Sequence, residues 1–133
     1  MQRLLYFFVL LFFTASSCSE EELAPAAVQE LPTPVLRIEA PATAQAGETV
    51  TVEVYFQVNG GCGQFGSFNV SASGKEQVIQ LVARYKGELC THDMPIRKAS
   101  YTFRPAEPGT YTLKFRSTPP EEYITAVIDV KAL

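Results

Sequence analysis

A strict alternation of apolar and polar side chains runs from Thr49 to Val58, TVTVEVYFQV, and it constrains the chain more than any other stretch. Val50, Val52, Val54, Phe56 and Val58 fall on one side of an extended backbone, and Thr49, Thr51, Glu53, Tyr55 and Gln57 on the other. Successive side chains of a strand point to opposite faces, so this run reads as a strand with one face in a core and one in water. No window of comparable length carries a helical period.

The same period recurs on both sides of this run. Leu36 and Ile38 point inward in a first strand, with 49–58 as the second. Phe68 and Val70 do so in a third, Ile79 and Leu81 in a fourth, and Tyr101 and Phe103 in a fifth. Tyr111, Leu113 and Phe115 mark a sixth, and Ile124, Ala126, Ile128 and Val130 a seventh. Turn signals rich in Gly, Pro and paired polar residues separate the runs: PATAQAGE, NGGCGQFG, SASGKE, KGELCTHDMPIRK, PAEPG and STPPEE. Seven short, regularly spaced strands predict an all-β, antiparallel β-sandwich over 35–133, with a partly open barrel as the alternative. PAEPGTYTLKF, Pro105 to Phe115, resembles the sixth strand of immunoglobulin-like and fibronectin-type domains, which a Gly-x-Tyr enters. The resemblance implies a seven-stranded immunoglobulin-like sandwich in which the Tyr111 hydroxyl bonds back to the preceding corner. It implies nothing about activity.

The first residues speak to location. MQRLLYFFVLLFFTASSC has one Arg, ten apolar residues from Leu4 to Phe13, and then small residues. That run is too short for a membrane-spanning helix, which needs about 20 residues, and fits a signal peptide over 1–17. Ala15, Ser16 and Ser17 lead into Cys18, which resembles a bacterial lipobox, and CSEEE resembles the acidic run after the lipidated cysteine of surface-exported Bacteroidota lipoproteins. The resemblance implies lipidation of Cys18 and an outer-membrane anchor in the cell envelope, on its periplasmic or its surface side. Residues 18–34 are acidic and contain Pro25, Pro32 and Pro34, and are expected to form a flexible tether. Loss of 1–17 removes Arg3 and no acid, leaving the chain one unit more negative than its formal −3. With no basic excess and no Trp, a nucleic-acid partner is not expected.

GELCTHDMP, Gly87 to Pro95, holds Cys90, the only histidine, His92, and the only methionine besides the first, Met94. Cysteine, imidazole and thioether in one loop are copper-type ligands, and β-sandwich blue-copper domains resemble this stretch in that respect. Those domains also take a histidine from an earlier strand, and this chain has only His92. His-Asp-Met likewise resembles the His-x-Met pair of periplasmic copper chaperones, which complete their site with a further His and Met. Alternation of seven strands places Cys62, Cys90 and the turn at Pro119 at one end of the sandwich. In an oxidising compartment a Cys62–Cys90 disulfide is therefore expected, worth roughly 3.5 kcal/mol from loop-closure entropy.

No Ser-His-Asp or Cys-His set is apparent, because Asp93 is the sequence neighbour of His92. Glu121-Glu122 and Glu20 to Glu22 read as solvated surface. Gly60, Gly61, Gly63 and Gly66 around Cys62 read as a tight connection reaching the disulfide partner. The expected function is thus a non-catalytic, lipid-anchored binding or accessory domain without a cofactor, with a protein or a glycan as candidate ligand. The loops after the second, fourth and sixth strands would carry the contact, through Gln64, Phe65, His92, Met94, Arg97, Lys98 and Arg116. Lys86, Arg97, Lys98 and Arg116 would make that end modestly cationic. The alternatives are a periplasmic copper-binding protein using His92 and Met94, and a purely structural envelope lipoprotein.

Overall fold

The alternating runs become strands in the computed structural model, which describes residues 25–133 apart from 88, 120 and 121. The signal-like residues 1–17 and Cys18 lie outside the described residues. Among the described residues nine strands follow one another: β1 (Val28–Thr33), β2 (Val35–Glu39), β3 (Thr43–Gln45), β4 (Val50–Gln57), β5 (Gly63–Ser73), β6 (Glu76–Lys86), β7 (Ile96–Phe103), β8 (Gly109–Arg116) and β9 (Tyr123–Lys131). They form two sheets, one of six strands and one of three in the order β2-β4-β7. The chain is an all-β sandwich.

In the larger sheet β5 pairs with β6 from Ser73↔Glu76 to Gly63↔Tyr85, filling one edge of β6. The opposite edge is divided, with Glu76–Ile79 paired to β8 and Leu81–Lys86 paired to β1. Gln80 stands at the junction, its Nε2 donating to the carbonyls of Thr33 at 3.3 Å and Leu81 at 2.9 Å. β9 lies between β8 and β3.

Three details depart from the sequence reading. Residues 28–33, assigned to the tether, are β1; β1 is an edge strand, where proline can be accommodated because a position without a donor can face away from its neighbour. β3 has three residues, too few to display a period of two. Two pairings, β6 with β8 and β3 with β9, are parallel and the others antiparallel. The first follows from connectivity: β7 lies in the other sheet, so the chain leaves β6, crosses the sandwich and returns as β8 in the same direction.

The core matches the alternation. Val50, Val52, Val54, Phe56 and Val58 are buried, as are Ile79, Leu81, Tyr101, Tyr111, Leu113, Phe115, Ala126, Ile128 and Val130. Leu36 is an exception. A register shift between Val35 and Arg37 turns Val35 into the core and Leu36 out, while Ile38 remains packed on the core. Val70 is also exposed, on β5, an edge strand of the six-stranded sheet that pairs with β6 alone. Tyr111 donates its hydroxyl proton to the Glu107 carbonyl at 2.9 Å, the corner that its Gly-x-Tyr context implies.

Candidate functional site at the bridged loop end

The connections β4–β5 and β6–β7 meet at one end and are joined by a disulfide between Cys62 and Cys90, whose Cα atoms are 5.3 Å apart. The glycines make this approach possible. Gly60 has φ of +108°, a region that side chains rarely adopt. A Cβ on Gly61 would stand 2.1 Å from Thr91 Oγ1, and one on Gly63 would stand 2.4 Å from Val58 Cβ. Main-chain bonds hold the two connections together, with Gly61 N donating to Thr91 O at 3.1 Å and Val58 N to Pro95 O at 3.1 Å. Gln57 Nε2 donates to Met94 O at 2.9 Å, and Asn59 N to the Tyr85 hydroxyl at 3.0 Å.

Arg97 has a role that the sequence reading missed. Alternation with buried Ala99 and Tyr101 turns it inward, and it reaches from β7 across to the start of β5. Its Nε and Nη2 donate to the carbonyls of Gly63 at 3.2 Å and Gly61 at 3.1 Å. The guanidinium fork thus spans the two sheets and satisfies two carbonyls of a turn whose own main-chain bond runs from Gly63 N to Gly60 O. The one available signal was an arginine at an inward position of a strand, beside a run of glycines lacking polar side chains of their own.

The residues expected to share this end do not all do so. His92 and Met94 are exposed and border a shallow cup of about 380 Å³ with Asn59, Gly60 and Thr91. Thr91 Oγ1 hydrogen-bonds the Asp93 carboxylate at the rim. Gln64 is exposed at the start of β5, and Phe65 packs on Phe68 with centroids 4.7 Å apart. Lys98 faces the outer side of the smaller sheet, with Nζ 3.6 Å from the Glu53 carboxylate. Arg116 alternates with buried Phe115 and so lies on the outer side of the larger sheet, its guanidinium 5.5 Å from the Tyr123 ring centre. It borders a separate cleft of about 180 Å³ with Pro32, Pro34, Gln80, Ser117 and Thr118. The expected cationic end is therefore dispersed: Arg97 is engaged by carbonyls, and Lys98 and Arg116 belong to opposite faces.

The bridged end instead exposes large apolar side chains beside the polar Asn59, Thr91, His92 and Asp93. Leu89 is 98% exposed, Ile96 62% and Met94 55%. With Cys62 and Cys90 joined, neither offers a thiolate to a metal. Among the described residues there is no cluster of three or more His, Cys, Asp or Glu side chains that could hold a metal ion.

A family model matches residues 52–126, from within β4 into β9, and is described as the ORF11 beta-sandwich domain. The chain belongs to the ORF11 beta-sandwich domain family. The match includes the disulfide, the loop from Gly87 to Pro95 and the Tyr111 corner, and leaves β1 to β3 outside it. No curated protein and no solved structure matches the sequence. The ORF11 domain thus carries the bridged end within its matched residues, while the anchor-like N-terminus precedes them.

Proposed function

We propose that this protein is a non-catalytic, lipid-anchored module of a bacterial envelope of Bacteroidota type. It is held by Cys18 after loss of 1–17, and its bridged loop end is its contact surface. The observation that carries this reading is the combination, at one end of a rigid sandwich, of fully exposed Leu89 and exposed Met94 and Ile96 with a disulfide and an arginine clamp beneath them. Exposed apolar side chains on a cross-linked loop present a preformed surface, so little ordering is required on binding. The acidic tether after Cys18 and the lipobox-like residues before it support the anchor.

Intact mass of the protein purified from membranes tests the anchor. Diacyl or triacyl addition at Cys18, loss of the first 17 residues and a two-hydrogen deficit removed by reductant are expected. Cys18→Ala should release the domain from the membrane fraction. An unacylated, membrane-free mature chain would overturn the reading. Copper bound stoichiometrically to the native protein and lost in His92→Ala would replace it with a metal-handling role.

A further inference from the structure

We infer that the bridged loop end rests on the lipid surface into which the chain's own anchor inserts, with Leu89, Met94 and Ile96 entering the interfacial layer. The inference depends on the lipid-anchor reading of Cys18 and names the partner of the contact surface proposed above. Its basis is the place where β1 begins. β1 starts at Val28, which pairs with Lys86 at the end of β6. The next residue, Gly87, lies against the disulfide: a Cβ there would be 3.6 Å from Cys62 Sγ. The chain therefore enters the sandwich at the bridged end, antiparallel to β6. Cys18 precedes Val28 by ten residues. Even fully extended, they span only about 35 Å. A tether that short, attached at that end, keeps the bridged loops closest to the bilayer.

The distribution of apolar surface agrees. Val28, Leu31, Leu36, Leu89, Met94 and Ile96 are all exposed and all belong to this end or to the strands entering it. The turns of the opposite end, around Gly47, Gly74 and Glu107, carry no exposed large apolar residue among those described, and the exposed Val70, Val127 and Leu133 lie on or beyond strands and not in those turns. Apolar side chains favour the boundary between headgroups and acyl chains over water. Because the protein is net acidic, this attraction comes from apolar insertion and should change little with salt. The orientation leaves the opposite end, and the outer side of the six-stranded sheet with Arg116, turned away from the lipid contact.

The chain has no Trp, so a single introduced indole reports depth without background. Leu89→Trp and Ala106→Trp, the latter at the opposite end, would be prepared as the acylated mature protein in phosphatidylcholine vesicles with brominated acyl chains. Leu89→Trp is expected to shift its emission to the blue and lose most of it to bromine quenching at low and high salt, whereas Ala106→Trp keeps the emission of the soluble domain. A second pair carries Ile96→Trp and Met94→Trp, in case Leu89→Trp perturbs the loop. Acylated, vesicle-bound protein with unquenched indoles at all three loop positions, or with equal quenching at Ala106→Trp, overturns the inference and leaves the anchor standing. Protein lacking acyl chains by intact mass overturns the anchor reading itself.

Discussion

At the end carrying Gly47, Pro105 and Gly109 the turns are closed by hydrogen bonds alone, one of them from Arg104 Nε to Gly47 O, whereas the end carrying Cys62 and Cys90 adds a covalent bridge to its main-chain bonds and its arginine. In the first, Gly47 N donates to Pro105 O at 2.7 Å, Thr112 N to Lys75 O at 2.9 Å, and the Tyr111 hydroxyl to Glu107 O at 2.9 Å. Pro105 is fully buried there. In the second, the loop from Gly87 to Pro95 exposes Leu89, His92 and Met94, and none of its described residues is buried. A loop that covers little apolar surface gains little from the hydrophobic effect, and its conformational entropy must be offset otherwise. The disulfide does this by restricting the unfolded chain, and Arg97 by satisfying two carbonyls in the folded one.

Four measurements can break or sharpen that contrast. The largest effect is expected from Phe115→Ala, which empties a fully buried site between the sheets and should cost about 3–5 kcal/mol in denaturant unfolding. Both ends should lose amide protection together; independent loss would show that they are separate cooperative units. Next, Cys62→Ser with Cys90→Ser should cost about 3.5 kcal/mol from the closed loop of 28 residues. Hydrogen exchange should then rise selectively over 87–95, and an equal local rise around Tyr111 would erase the distinction between the ends.

Arg97→Met keeps the apolar stem and removes both carbonyl contacts, for an expected loss of about 2 kcal/mol at the bridged end. Its counterpart Tyr111→Phe removes one hydroxyl bond at the other end and should cost about 1 kcal/mol. The reverse order would mean that the arginine bonds are made equally well by water. The smallest effect concerns pH. Burial raises the Tyr101 phenol above its ordinary value of 10, and its hydroxyl donates to Gln77 Oε1. The unfolded phenol therefore ionises first: stability is level below about pH 10 and falls above it, by an amount that Tyr101→Phe should diminish. Melting temperatures between pH 9 and pH 11.5 measure this, and identical alkaline slopes for both proteins would exclude a contribution from Tyr101.

Much of the sandwich could be read from single strands. The inward sides of β4, β8 and β9 were legible because alternation along a strand is a local property set by the pleat. Leu36 was not, since one shift of register inverts a face and nothing in VLRIE announces it. β1 was hidden by Pro32 and Pro34, which mark a tether and an edge strand equally well. At the bridged end the cysteine pair was legible from chain reversals, whereas the dispersal of Arg97, Lys98 and Arg116 was not. Their positions depend on which face each side chain occupies and on the pairing of β8 beside β6.

The sequence by itself determined an all-β chain, the inward residues of its long strands, the Tyr111 corner and the partners of the disulfide. The strands and their inward residues follow from spacing along one strand, the disulfide partners from the number of reversals between Cys62 and Cys90, and the Tyr111 corner is what the resemblance of PAEPGTYTLKF to immunoglobulin-like domains implies. Tertiary structure alone decided that β8 returns parallel to β6, that Arg97 clamps the glycine turn, and that the chain enters at the bridged end. Those depend on which strands become neighbours. Neighbours are selected by the packing of two sheets over a common core, to which residues far apart in sequence contribute together.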